Sequence, residues 1–421
     1  LSGIAAENLE HASGINGRTL ASWEYAWAQG RELLGKRDVL VIDEAGLVGT
    51  RQLAGVLERA ESAGAKVVLV GDPEQLQAIE AGAPFRGIAA QAGMTELTEV
   101  RRQREAWQKE ATQQLATGRT PEALSAYERE KRVKAAPTRE AAREVMLATW
   151  QRAGEARPGE SRLMLAYTRD DVQALNTEAR ALRAANGELG KGEVIETVRG
   201  PREFAAGDRL YFLKNERGLG VKNGSLGTVE KIRDGVLQVR VDGNEERRIV
   251  VDAKQYPHLD HGYAATIYKA QGTTVDRTYV LATPHFDRHS TYVALSRHRE
   301  TAAVFYGRED FEPEWSKAPA EENFRAVLSR ARPKGFAHDY LEVGAEHSGM
   351  TRGRALEEAR GSEREQLVEQ WKREAVATWR AFRADQQKAE RAKQHELERA
   401  RALERELSRG RSRDHGYDLE P

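Results

Sequence analysis

Cysteine is absent from the 421 residues, which excludes disulfide frameworks and cysteine-ligated zinc or iron–sulfur sites. That absence fits a reducing cytosol, and a cytoplasmic location is expected. There is also no secretory signal peptide and no apolar run long enough to span a bilayer, so membrane insertion is not expected. A net charge is lacking too. Lys plus Arg and Asp plus Glu both number 66, so any surface for a polyanion must be a local patch. The chain opens on Leu1 instead of Met, and its simplest reading is a fragment of a longer polypeptide. Its length allows about two or three domains, each with its own core.

What is present begins with short buried strands. Residues 39–43 (VLVID) are an apolar, β-branched run of the kind found in parallel sheets. Thr50 is expected to cap a helix with Leu53, Val56, Leu57 and Ala60 on one face, and Gly64 stands where a C-terminal glycine belongs. A second buried run follows at 67–70. Strand, helix and strand at this spacing make a right-handed βαβ unit, which puts Asp43-Glu44 and Gly71-Asp72 on one sheet edge. Ligands bind at that edge in open α/β sheets.

Residues 101–157 read as a charged helical connector. A second α/β pattern begins near 158, with a strand at 163–167 and a helix facing inward through Val172, Leu175, Ala179 and Leu182. Between 200 and 255 the texture changes to alternating runs such as Leu237-Val239-Val241, separated by Asn223-Gly224, Asp234-Gly235 and Asp242-Gly243. That is the pattern of a small antiparallel barrel, inserted within an α/β domain that resumes over 260–307. From 311 to 421 the chain is a charged helical tail, with a stripe of Leu367, Trp371, Ala375, Trp379 and Phe382.

The acidic pair in VIDEAG carries the first chemistry. Hydrolysing a nucleoside triphosphate needs a carboxylate to help hold Mg²⁺ and a group to orient or deprotonate the attacking water. Asp43 suits the first task and Glu44 the second. A pair that merely ends a strand is the plainer alternative. In GDPEQLQAI (71–79), Gly71 and Asp72 lie on the nucleotide side, and Gln75 is placed to sense a γ-phosphate.

These segments, with TEVRRQ (98–103), YAATIYKAQGTTVD (263–276) and YVALSRHRE (292–300), resemble the ordered motifs of superfamily 1 helicases. The chain is most similar to the RecD-like branch, and within it to the helicase half of TraA-type conjugative relaxases of the MobA/MobL kind. The likeness covers roughly 1–310. It implies two RecA-like P-loop motor domains, the first (1–100) incomplete, with an SH3-like barrel inserted in the second (158–310). ATP and Mg²⁺ would be the ligands, single-stranded DNA the track, 5′ to 3′ the direction, and relaxosome proteins possible partners. Arg102 and Arg297 would then reach the γ-phosphate, with Gly272 also on the nucleotide side. Thr266, Tyr268, Lys269 and Gln271 would contact nucleic acid, as would Thr19, Lys214, Asn215, Lys222 and Asn223. Relatives usually carry His at Tyr268 and Glu at Thr274. No His cluster for a nicking domain's metal is present.

The phosphate loop G-x-x-x-x-G-K-[ST] has one near match, GRELLGKR at 30–37. Arg37 ends it without a hydroxyl for Mg²⁺, and it precedes a strand where a phosphate loop would follow one. It is a decoy. The reading is therefore a motor segment truncated at its N-terminus. A DNA-binding remnant without ATPase activity and an RNA helicase of the same superfamily stay open as alternatives. Deleting 355–421 is expected to leave DNA binding intact, as measured by fluorescence anisotropy with a labelled oligonucleotide. Loss of affinity on deletion would place part of the grip in the tail.

Overall fold

The computed structural model describes residues 6, 9–10, 13–76, 78, 82–243, 247–313 and 317–332, so the Trp371 stripe lies outside the described residues. The chain divides into Leu1–Lys334 and Gly335–Pro421, and every described residue falls in the first unit.

Helix α1 (Leu20–Ala28) starts at Thr19, whose hydroxyl accepts from the Ser22 amide at 3.3 Å. Strands β1 (Val39–Ile42) and β2 (Lys66–Leu69) pair in parallel, from Val39 opposite Lys66 to Ile42 opposite Leu69. The crossover is α2 (Thr50–Ala63), which buries Leu53, Val56 and Ala60. Its N-cap is Gly49, and Thr50 is already helical, a correction to the expected cap. Gly64 has φ +65° and donates its amide to the carbonyls of Ala60 and Glu61, closing the helix as a left-handed residue does. Helix α3 (Pro84–Ala92) follows.

Residues 101–157 hold α4 (Ala106–Ala116), α5 (Thr120–Arg129) and α6 (Arg139–Ala156), but also a strand, β3 (Val133–Ala136). The connector is therefore not helical throughout. β3 is an edge strand beside β14 (His298–Gly307) in a five-stranded parallel sheet of order β12-β4-β13-β14-β3. β4 is Arg162–Ala166, β12 is Ala264–Thr266 and β13 is Val275–Leu281. The sequence VKAA hides β3 because it is short, contains Lys and Ala, and buries only Ala136. Helix α7 (Arg169–Ala185) covers β4 and β12, turning Leu175 and Ala179 inward. The chain moves from β4 to β12 on one side and then returns to β13 on the other. Strand order thus reverses at β4, the position where such sheets open a crevice.

Between α7 and β12 lie β5 (Glu193–Thr197), β6 (Gly200–Phe204), β7 (Arg209–Phe212), β8 (Leu226–Arg233), β9 (Val236–Val241), β10 (Arg247–Asp252) and β11 (Leu259–His261). The antiparallel module thus extends beyond 200–255 on both sides. β5 and β6 form a separate hairpin, and the remaining five strands run in the order β10-β9-β8-β7-β11. Asp234 and Gly235 both have positive φ, as a two-residue type I′ turn requires, so this dipeptide closes the β8–β9 hairpin. Leu237, Val239 and Val241 point into a core with Phe204, Phe212 and Leu259.

One buried carboxylate fastens the module to the parallel sheet. Asp208 is fully buried and accepts from Tyr263 Oη at 2.5 Å, the Ala205 amide at 2.7 Å and Arg180 Nε at 3.1 Å. Tyr263 precedes β12 and Arg180 belongs to α7, so one charged group joins three segments. Tyr263→Phe should lower stability by about 1.5–3 kcal/mol, the worth of a hydrogen bond to a charged acceptor. Calorimetry checks this, and an unchanged Tm would show that the other two donors suffice.

Candidate active site

The C-terminal ends of β1 and β2 meet in two turns packed back to back. Ala45 N donates to Val70 O at 2.9 Å and Val70 N to Ile42 O at 2.8 Å. A Cβ on Gly71 would stand 3.1 Å from Ala45 N and 3.2 Å from Gly46 N, so only glycine fits without displacement. Glu44 has φ +53°, a left-handed conformation that is uncommon for a non-glycine residue. Its own amide donates to Asp43 Oδ1 at 2.8 Å.

Asp72 organises the second turn. Its Oδ1 accepts from the Glu74 amide at 2.9 Å, and its Oδ2 accepts from Gln75 Nε2 at 3.2 Å and from Tyr292 Oη at 2.7 Å. Gln75 Oε1 is buried with no hydrogen-bond partner among the described residues. Tyr292 belongs to α9 (Arg288–Leu295), which begins in a capping box between Asp287 and Ser290. The same helix reaches the turn through His289 Nδ1, 2.8 Å from Glu74 O, and through the Arg288–Glu74 ion pair at 2.9 Å.

Arg297 follows α9 and is 2% exposed. Its guanidinium donates to Val293 O at 3.1 Å and to Ser296 Oγ at 2.7 Å, both uncharged. Burial lowers its pKa to about 10; the neighbouring Arg102 pushes the same way, while Glu44, Tyr292 and Asp72 oppose. Arg102 donates to Ser296 O at 2.7 Å, and burial lowers its pKa as well. Gln103 Nε2 donates to His298 O at 3.0 Å, and Gln108 Nε2 to Glu300 O at 2.9 Å. Burial, with Arg102 and Arg297, depresses His298 to about 3, so it is neutral beside them.

Glu44, Asp72, Gln75, Arg102 and Arg297 therefore converge on one junction, with Asp43 and Gly71 in the adjoining turns. Gln271 reaches the same place. Its Nε2 donates to Glu44 Oε2 at 3.0 Å, so this side chain faces a carboxylate where a nucleic-acid contact was expected. Gly272, next in sequence, has φ +79°. Tyr292 was missed as a site residue: a tyrosine in a helix reads as core, and only the fold shows where its hydroxyl goes.

The other expected nucleic-acid contacts lie elsewhere. Thr19 and Thr266 act as N-caps, Thr266 for the four-residue α8 (Ile267–Ala270). Asn215 Oδ1 accepts from the Asn223 amide at 2.7 Å, closing the loop that also carries Lys222, and the Lys214 backbone meets Tyr256 Oη. Thr266 and Lys269 line a cleft of about 540 Å³ with Arg169, Arg199, Tyr211 and Asp260. The Lys269 ammonium sits 4.9 Å from the Tyr211 ring centroid. Burial, then Arg199, lowers its pKa to about 8. Tyr268 is 39% exposed, and Tyr167, which stacks on His285, helps raise its pKa after burial.

A family profile described as AAA domain matches residues 1–138. The conjugal transfer protein TraA of Rhizobium radiobacter is 44% identical over 341 residues, which make up 81% of this chain and 30% of that protein. The ATP-dependent RecD2 DNA helicase of Deinococcus radiodurans is 30% identical over 271 residues, 62% of this chain and 35% of that protein. Among solved structures, the Pif1 helicase from Candida albicans has a TM-score of 0.49 at 20% identity, covering 72% of this chain and 82% of that one. The fold is α/β with a parallel sheet, in agreement with the AAA-domain match. The chain belongs with the RecD-like helicase portion of TraA-type conjugal transfer proteins. It spans about a third of the length of the curated relatives it matches. No helix among the described residues is long and apolar enough to cross a membrane.

Arg297 makes the site's cost measurable. Folding lowers its pKa, so its charge works against the folded state at every pH below about 10, and that penalty fades only above it. Arg297→Met removes the buried charge while keeping the volume. The variant should be more stable than the parent by about 1–3 kcal/mol in urea unfolding without ligand. Marked destabilisation would instead make Arg297 a structural residue.

Proposed function

We propose that this chain is the ATP-hydrolysing, strand-translocating part of a conjugative-transfer protein, moving 5′ to 3′ along single-stranded DNA. The observation that supports this reading is the guanidinium of Arg297. It is buried beside a second arginine, hydrogen-bonds only neutral oxygens among the described residues, and faces the edge that carries Glu44 and Asp72. Its nearby carboxylates make no direct ion pair with it, and a terminal phosphoryl group is an anion that would. Gln75 Oε1, without a hydrogen-bond partner among the described residues, fits the same ligand, because it can accept from a water positioned for attack. The GRELLGKR segment does not fit the rest of a nucleotide. It follows α1 and leads into β1, and Arg37 offers no hydroxyl.

In this reading Glu44 accepts the proton of the attacking water, and Gln75, held by Asp72, orients that water. Arg102 and Arg297 offset charge gathering on the transferred phosphoryl oxygens. Asp43 is the carboxylate that would hold Mg²⁺, an ion that takes few protein ligands and keeps phosphate and water for the rest. When bound, Mg²⁺ supplies further neutralisation of phosphate charge. The residues up to about 100 and the larger parallel sheet are read as the two motor domains. The antiparallel module is read as the SH3-like insertion that helps grip the strand. Relaxosome proteins are the partners this setting implies.

Glu44→Gln in the full-length protein should abolish DNA-stimulated ATP hydrolysis while leaving ATP binding within about twofold, and Arg297→Ala should lower turnover by roughly a hundredfold or more with little change in DNA affinity. A coupled phosphate-release assay with titrated oligonucleotide reads both. Parental turnover in the two variants would refute the assignment.

A further inference from the structure

The hydrogen bond from Gln271 to Glu44 spans 227 residues of sequence and joins two segments with different expected duties. Gln271 directly follows α8, the short helix that carries Lys269 and is capped by Thr266. Those two residues line a cleft of mixed charge shared with the antiparallel module, where Tyr211 lies under Lys269 and Arg199 and Arg202 pair with Asp260. On the other side of Gln271 stands Gly272 with φ +79°, a backbone conformation that glycine adopts without strain.

Neither partner in this bond is in its most favourable arrangement. Glu44 occupies the left-handed region without being glycine, a conformation that persists only when its surroundings impose it. Gln271 is 4% exposed, yet its Oε1 has no hydrogen-bond partner among the described residues. A buried amide satisfied on its donor side alone gives up part of what solvent would offer it. The bond also engages Oε2 of Glu44 and fixes the carboxylate's orientation toward Gln271, away from where a base would meet a water.

We propose that Gln271 is a latch on Glu44, released when a phosphate of single-stranded DNA engages Thr266 and Lys269, so that hydrolysis follows strand binding. The proposal rests on the reading of Glu44 as the general base. It requires little movement. The bond is 3.0 Å long, and a displacement of α8 by about 1 Å carries the pair beyond hydrogen-bonding range. Lys269 gives the phosphate a reason to pull. Its ammonium is partly desolvated over the Tyr211 ring, and an anion in the cleft would stabilise the charged form that burial disfavours. Gln271 is thus a positioning residue, acting through Glu44.

The test uses the full-length protein, a single-stranded DNA oligonucleotide and steady-state ATP hydrolysis. Gln271→Met keeps the side-chain volume and removes the donor. Hydrolysis without DNA should rise roughly tenfold, the DNA-saturated rate should stay within about twofold, and the stimulation ratio should collapse accordingly. DNA affinity, read by anisotropy, should stay within about twofold as well, since the latch is not part of the grip. Gln271→Asn, too short to reach Glu44, should behave the same way and serves if the Met variant folds poorly. An unchanged ratio in a folded variant, or a parallel fall of basal and stimulated rates, overturns the latch. Glu44→Gln separates the two levels. If it is silent while Gln271→Met behaves like the parent, only the latch fails; if it still hydrolyses ATP, the base assignment fails and the latch with it.

Discussion

Two guanidiniums held side by side in a desolvated junction set the terms for the rest of this structure. Burial lowers the proton affinity of both; Arg102 adds to the effect on Arg297, and Arg299 adds to that on Arg102. Such a pair persists only where carboxylates stand near enough to offset it. Glu44 and Asp72 do so without forming a direct ion pair with Arg297, whose hydrogen bonds go to a carbonyl and a hydroxyl. The junction is therefore electrostatically incomplete by construction. A site that neutralised its arginines fully would have no differential affinity left for a phosphoryl group whose charge spreads during transfer.

The polar links across the junction fall into two kinds. Arg102, Gln103 and Gln108 donate to backbone carbonyls at Ser296, His298 and Glu300. Those acceptors keep their position whatever ligand is present, and they sew residues 102–108 to the start of β14. Tyr292 on Asp72 and Gln271 on Glu44 are different, since each donates to a carboxylate that a nucleotide, metal ion or water would compete for. The first set holds the chain together through a cycle. The second can exchange partners at the site, and it is the set through which a ligand can bias one arrangement over another.

The same division explains what could be read from sequence. The β1–α2–β2 unit was legible because its buried runs and helical face have clear periods, and Gly64 and Asp234-Gly235 were legible because their backbone angles demand small or turn-forming residues. Asp43, Glu44, Asp72, Gln75, Arg102 and Arg297 were found as motifs, and their convergence depends on which strand ends share an edge. β3 escaped because four residues with one buried side chain carry no periodic signal. Thr19, Thr266 and Asn215 also have local duties that sequence does not announce. Their side chains turn back to cap or close local backbone, a use that a short polar residue serves as readily as it serves a ligand. Gln271 was assigned to the nucleic acid from its motif, whereas its partner lies on the far side of the junction. Sequence neighbours on a tight helix can face different ligands, and only the fold decides which.

The antiparallel module gains its meaning from how firmly it is attached. Asp208 ties β7 to α7 and to the residue before β12 through three donors in a buried setting, where each bond is stronger than it would be in water. β12 leads directly into α8, so the anchor lies a few residues from Thr266, Lys269 and Gln271. A phosphate drawn to Lys269 of α8 would meet the module, where Arg199 pairs with Asp260, on one side and a four-residue helix on the other. Force applied there moves the softer partner. Rigidity in the module is thus what allows displacement to be directed toward α8, and from α8 toward the carboxylate of Glu44.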